Sequence, residues 1–147
     1  MTTQTKPYSI GTTVELEYPE AVERVKGELA KEGFGILCEI DVAATMKAKL
    51  GVDFQPYVIL GACNPPLAHR ALSAVRDIGV LLPCNVVVYA ADIRGRSVIA
   101  AMDPAAALEL TQNPQIEAVA EEVRGRLVRV LDRVAEPVAS SSTTEAG

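Results

Sequence analysis

Ile10, Thr12, Val14 and Leu16 fall on one side of an alternating segment, which predicts a strand half buried on a core. At Tyr18-Pro19 the period changes to that of a helix. Pro19 suits its first turn, Val22, Val25 and Leu29 recur on one face, and Gly33 is placed to stop it in a left-handed cap. Alternation then returns, with Ile36, Cys38, Ile40 and Val42 on one side and Leu37, Glu39 and Asp41 on the other. This predicts a second strand in which Cys38 is buried in phase with its isoleucine neighbours. Ala43 to Leu50 reads as a short helix closed by Gly51, and Gln55 to Ala62 is a nearly unbroken apolar run, the mark of a well-covered strand.

Asn64-Pro65-Pro66 combines a side-chain cap with prolines at the first helical positions, and Leu67, Ala71, Leu72 and Val75 give the helix that follows a buried stripe. After an apolar link at Gly79 to Leu82, Val86 to Ala90 is a strand by its β-branched content, Asp92 to Arg96 a turn, and Ser97 to Met102 the return strand of a hairpin. Asp103-Pro104 caps a short helical piece reaching Leu110. Asn113-Pro114 starts a long helix with Ile116, Val119, Val123, Leu127, Val130 and Val134 at helical spacing, ended by Pro137. Residues 9–136 therefore form a single domain between a disordered N-terminus, 1–8, and a disordered tail, 137–147. Its class is α+β, an antiparallel sheet with helices packed on one face.

Composition narrows the functions available. Of 147 residues 49% are hydrophobic but only 4% aromatic, so the core is aliphatic and large enough to need no disulfide or metal staple. A net charge of -5, with both signs interleaved and no basic cluster, argues against nucleic acid as a partner. Met1 to Pro7 lacks the pattern of a signal peptide and no apolar stretch reaches transmembrane length, so no membrane partner and a cytoplasmic location are expected.

Three cysteines in such a chain point to free thiols. Cys63 sits just before a helix N-terminus, where the macrodipole and free amide hydrogens lower a thiol pKa; the thiolate is the nucleophile and soft-metal ligand. The plainer reading is a small hydrophobe packing the turn. Cys84-Asn85 repeats the Cys63-Asn64 step at a second strand end, so the two thiols are candidates for one site, with the two asparagines as polar contacts. His69, one turn into the helix after Cys63, is either a base or ligand for that thiol or a solvated helix-face residue. Glu39, with Asp41, Lys47 and Lys49 nearby, lines a charged rim or a plain solvated face. The cysteine spacing fits no zinc pattern, and no cofactor is specified.

Glu39-Ile40-Asp41-Val42, Lys49-Leu50-Gly51, Tyr57 to Pro65 and Leu82-Pro83-Cys84-Asn85 resemble the domain of unknown function 302 family over nearly the whole ordered chain. Gly-Ala-Cys-Asn-Pro and Leu-Pro-Cys are its signature segments, intact here at Cys63, Asn64, Pro65, Pro83 and Cys84. The resemblance implies a β-α-β4-α fold like that of the TATA-binding protein, and homodimers. It names no activity. Three readings follow: a small-molecule or sulfur-species binding domain using Cys63, Asn64, Cys84, Asn85, Glu39 and His69; a non-catalytic homodimeric module that pairs through a sheet edge or the C-terminal helix; and a soft-metal binder.

Overall fold

The computed structural model describes residues 4–136, so the tail at 137–147 lies outside the described residues. Six strands form one sheet: β1 (Gln4–Lys6), β2 (Ser9–Val14), β3 (Gly35–Asp41), β4 (Tyr57–Cys63), β5 (Cys84–Ala90) and β6 (Ser97–Met102), in the order β1-β2-β6-β5-β4-β3. Every neighbouring pair is antiparallel. The helices are α1 (Tyr18–Lys31), α2 (Val42–Leu50), α3 (Pro65–Ala74), α4 (Pro104–Leu108) and α5 (Pro114–Ala135). With α2, α3 and α4 taken as insertions, β2-α1-β3-β4-β5-β6-α5 is the expected β-α-β4-α arrangement. Gln4–Lys6 pairs with Ser9–Gly11, so a short edge strand stands inside the segment for which the sequence predicts disorder.

Alternation along the strands sorts the sheet into two faces. Ile10, Thr12 and Val14 of β2, Ile99 and Ala101 of β6, Val86 and Val88 of β5, and Val58 and Leu60 of β4 are all buried. They meet the inner stripes of α1, with Val25 and Leu29, and of α5, with Ile116, Leu127, Val130 and Leu131. Each such side chain contributes roughly 1.5–3 kcal/mol on leaving water, which makes this one face the main drive for folding. α5 starts where expected, its Asn113 side chain accepting from the amides of Gln115 and Ile116. Its large apolar residues are buried except for the half-buried Val128, and its exposed positions are Pro114, Gln115, Glu117, Ala118, Glu121, Glu122 and Arg129, so no apolar outer stripe is left on it for pairing.

α1 and α5 are clamped along their length. Arg129 holds the Glu32 carboxylate with both Nε and Nη2, at 3.1 and 3.0 Å, and Arg133 Nε donates to Glu28 Oε1 at 2.6 Å. Arg24 donates to the Arg133 carbonyl and Arg126 to the Glu32 carbonyl.

The structure departs from the sequence reading at β3. Ile36 pairs with Ala62 but Cys38 pairs with Gly61, so Leu37 is an extra residue in the ladder. Such a bulge reverses the side that later residues face. Glu39 and Asp41, opposite Leu60 and Val58, share the helix-bearing side, while Cys38 and Ile40 stand on the other. Cys38 is accordingly exposed, not buried. Its sulfur lies over Gly61, where an added Cβ would come within 2.8 Å of it and 3.1 Å of the Pro83 ring.

Candidate functional site

At the end of β4 the chain turns directly into α3, and Asn64 makes the turn. Its side chain accepts from the Leu67 amide and donates to the Glu32 carbonyl at 3.2 Å, joining the start of α3 to the end of α1. Gly33 answers it on the other side. With φ at +87°, it occupies the left-handed region, and a Cβ there would lie 3.0 Å from the Asn64 amide nitrogen.

α3 and α5 flank the sheet end without filling the space between them. A cavity of about 240 Å³ opens there, and both Cys63 and Cys84 line it. Around them the wall is almost wholly carbon, from Phe34, Leu67, Ala71, Leu108, Val119 and Val123 among others. Cys84 stands opposite Ala62 in the β4–β5 ladder, one step from Cys63.

Both thiols are held protonated. Burial raises the pKa of Cys63, and burial, with the neighbouring Cys63 adding to it, pushes that of Cys84 up to about 11. The expected lowering by the helix N-terminus fails for a local reason. Pro65 and Pro66 carry no N–H, the Leu67 amide is taken by the Asn64 side chain and the Ala68 amide by the Asn64 carbonyl. No amide at the start of α3 is left to stabilise a thiolate, so desolvation decides.

The other candidate residues separate. Asn64 lines the pocket, but both ends of its amide are committed to the α1–α3 joint. Asn85 alternates with Cys84 and is exposed on the opposite side of the sheet; His69 is exposed on the outer face of α3. Glu39 belongs to a different, shallow cleft with Tyr18, Glu23 and Asp41, and pairs with Lys26 at 2.5 Å. Among the described residues no group of three or more His, Cys, Asp or Glu side chains is placed to hold a metal ion. No helix among them is long and apolar enough to cross a membrane.

The pocket-lining residues that sequence reasoning did not single out, Phe34, Leu108, Val119 and Val123, look in the sequence like any core positions. One signal was available: Ala68, half buried on the side of α3 that lines the pocket, is small.

A one-sided antiparallel sheet carrying a partly open aliphatic pocket at the β4–α3 junction defines a small α+β domain with a pocket of its own. The chain belongs to the DUF302 family, a domain of unknown function, whose pattern it matches over residues 10–134. Among solved structures it is similar to an uncharacterised conserved DUF302 protein from Bacillus stearothermophilus, at 33% identity and a TM-score of 0.79, over 86% of this chain and 97% of that one. No curated protein matches it.

Proposed function

We propose that the domain binds a small, uncharged and mainly apolar molecule in the pocket between α3 and α5, with the Cys63 and Cys84 thiols as part of its wall. The observation that carries this is an unfilled cavity of about 240 Å³ whose lining is almost entirely carbon. Natural cores leave few voids larger than a water molecule, so an apolar space of this size is the feature in need of an occupant. A cavity of about 150 Å³ takes a benzene ring, which puts the occupant here at roughly ten non-hydrogen atoms. Charge is excluded on energetic grounds, because no cation lines the space and its free donors are only the weak S–H groups of Cys63 and Cys84, too little to offset desolvation of an anion. A neutral sulfur compound fits; a thiolate-driven transfer does not, since both thiols stay protonated near neutral pH.

The test is a titration followed by NMR of the side-chain methyls, with indole and toluene as neutral probes and hexanoate as the charged counterpart. Shifts confined to Leu67, Val119 and Val123 with the neutral probes, their loss in Ala68→Phe, and slower iodoacetamide alkylation of Cys63 in the presence of probe are expected. Preference for hexanoate, or shifts that survive Ala68→Phe, sinks the reading.

A further inference from the structure

The face of the sheet away from α1 and α5 is uncharged from β2 to β3. Register puts Ile40, Ile59, Val87, Ala100 and Gly11 in one row across five strands, and Tyr57, Tyr89, Val98 and Thr13 in the row beside it. Tyr57 and Tyr89 stack with ring centres 5.1 Å apart, and Phe54, exposed, extends the aromatic edge against Tyr57. In a chain that is 22% charged, no Asp, Glu, Lys or Arg stands at the positions of β2 to β6 that face this way.

We propose that this open face is the surface on which a second copy of the chain docks, sheet against sheet. Three observations choose a second copy over another partner. The first is charge. In a twofold pair, any charge near the axis meets its own copy, so a face that joins to itself must be free of charge at its centre, and a chain of net charge -5 gains most from that exclusion. Nucleic acid or a charged peptide would ask for the reverse.

The second is shape. Along the central row the side chains shrink from Ile40, Ile59 and Val87 to Ala100 and Gly11, so the face is high on the β3 side and low on the β2 side. Rotation by half a turn about an axis along the strands lays the high side of one copy over the low side of the other, and the step becomes self-complementary. Gly11 has to stay low for a separate reason, since a Cβ there would lie 2.7 Å from the Ile99 carbonyl oxygen.

The third is size. Five strands at about 4.8 Å spacing and about six residues at about 3.3 Å give roughly 500 Å² per copy in projection. Two copies bury about 1,000 Å² before side-chain relief is added, which reaches the lower bound for a specific interface.

Sedimentation velocity of the full chain across roughly 1–100 μM tests the proposal, with Val87→Glu placing a charge beside the axis and Ala118→Glu, on the outside of α5, as a matched control. Circular dichroism and thermal melting establish that each variant folds; Val87 points away from the core, and Val87→Thr is the fallback should the charged variant not fold. Wild type and Ala118→Glu sedimenting as dimers, with Val87→Glu monomeric or Val87→Thr at least tenfold weaker in association, is the expected result. A monomeric wild type, whether or not it floats with phosphatidylcholine vesicles, overturns the proposal. So does a dimer indifferent to position 87, which would place the contact on the free edge of β3.

Discussion

The two flanks of α5 solve the same packing problem in opposite ways. Against α1 the contact carries a dense set of polar bonds: Glu28 and Glu32, almost closed to solvent, are gripped by Arg129 and Arg133, with Arg24 and Arg126 tying side chains to carbonyls. Against α3 a single exposed ion pair, Arg70 to Glu122 at 3.4 Å, bridges the rim, while the interior of the contact is apolar and incomplete, and a cavity remains. Ion pairs demand fixed partners at fixed distances, so the first flank has one geometry and nothing to offer a ligand. Aliphatic surfaces tolerate separation, and the second flank keeps its helices apart at the cost of lost dispersion contacts. The difference places a rigid joint and an unfilled space on opposite flanks of a single helix.

The sharpest way to break the contrast is to unpair the polar flank. Glu32→Ala leaves the Arg129 guanidinium without its carboxylate and takes away one of the two that Arg133 holds, Glu28 remaining. Because Arg129 is half exposed, the expected loss is about 2–3 kcal/mol, less than for a fully buried pair. For a domain of this size that is a fall in Tm of roughly 5–10 °C, read by calorimetry. A loss below a degree would mean that the flank is ordinary surface.

Next in size is a matched pair of enlargements. Ala21→Leu, in a fully buried position of α1, should cost about 1–3 kcal/mol through overpacking, while Ala68→Leu, at the half-buried position of α3 that lines the cavity, should change stability by less than about 1 kcal/mol in either direction. Urea unfolding of both variants checks this. Equal costs would show that the space beside α3 is not available to a side chain or a ligand.

The smallest effect expected is a slope of stability with pH. Hydrogen bonding from Arg129 holds the Glu32 carboxyl below its usual range; at Glu28 burial alone acts upward, but the bonds from Arg133 and Lys31 outweigh it and the net direction is also down. A carboxyl with a depressed folded-state pKa binds its proton more weakly folded than unfolded. Its contribution is therefore complete above the ordinary glutamate range, near pH 4.5, and is lost as pH falls through the lower folded value. Urea midpoints measured from pH 7 to pH 3 should decline below about pH 4.5 in the wild type and decline less steeply in the Glu28→Gln, Glu32→Gln double variant. Parallel curves for the two proteins would remove these carboxylates from the account.

Much of this fold was legible in residue order, because periodicity and capping act locally. The alternation of Ile10, Thr12 and Val14, the capping of α5 by Asn113 and the left-handed stops at Gly33 and Gly51 each report a constraint confined to a few neighbouring residues. β3 was misread because a bulge adds one residue without changing composition, and every face assigned beyond Leu37 then inverts. The site was legible in part. The shared wall of Cys63 and Cys84 follows from two strand ends lying side by side, but the protonation of Cys63 turns on Pro65 and Pro66, which start a helix and also withhold the amides that would stabilise a thiolate, and that of Cys84 on burial, which residue order does not carry. The cavity itself leaves no mark in a sequence, since empty space depends on where two helices come to rest.

The order of the sheet also has a consequence in time. β2, at Ser9–Val14, has its long-range partner in β6, at Ser97–Met102. At a synthesis rate of about 5–20 residues per second, the first core strand waits roughly 4–20 s on the ribosome before that partner is made. During that interval Ile10 and Val14 have neither β6 nor α5 to cover them. The newborn domain is thus most vulnerable to aggregation at β2, and α5, made after all six strands, is the helix that closes the core over it.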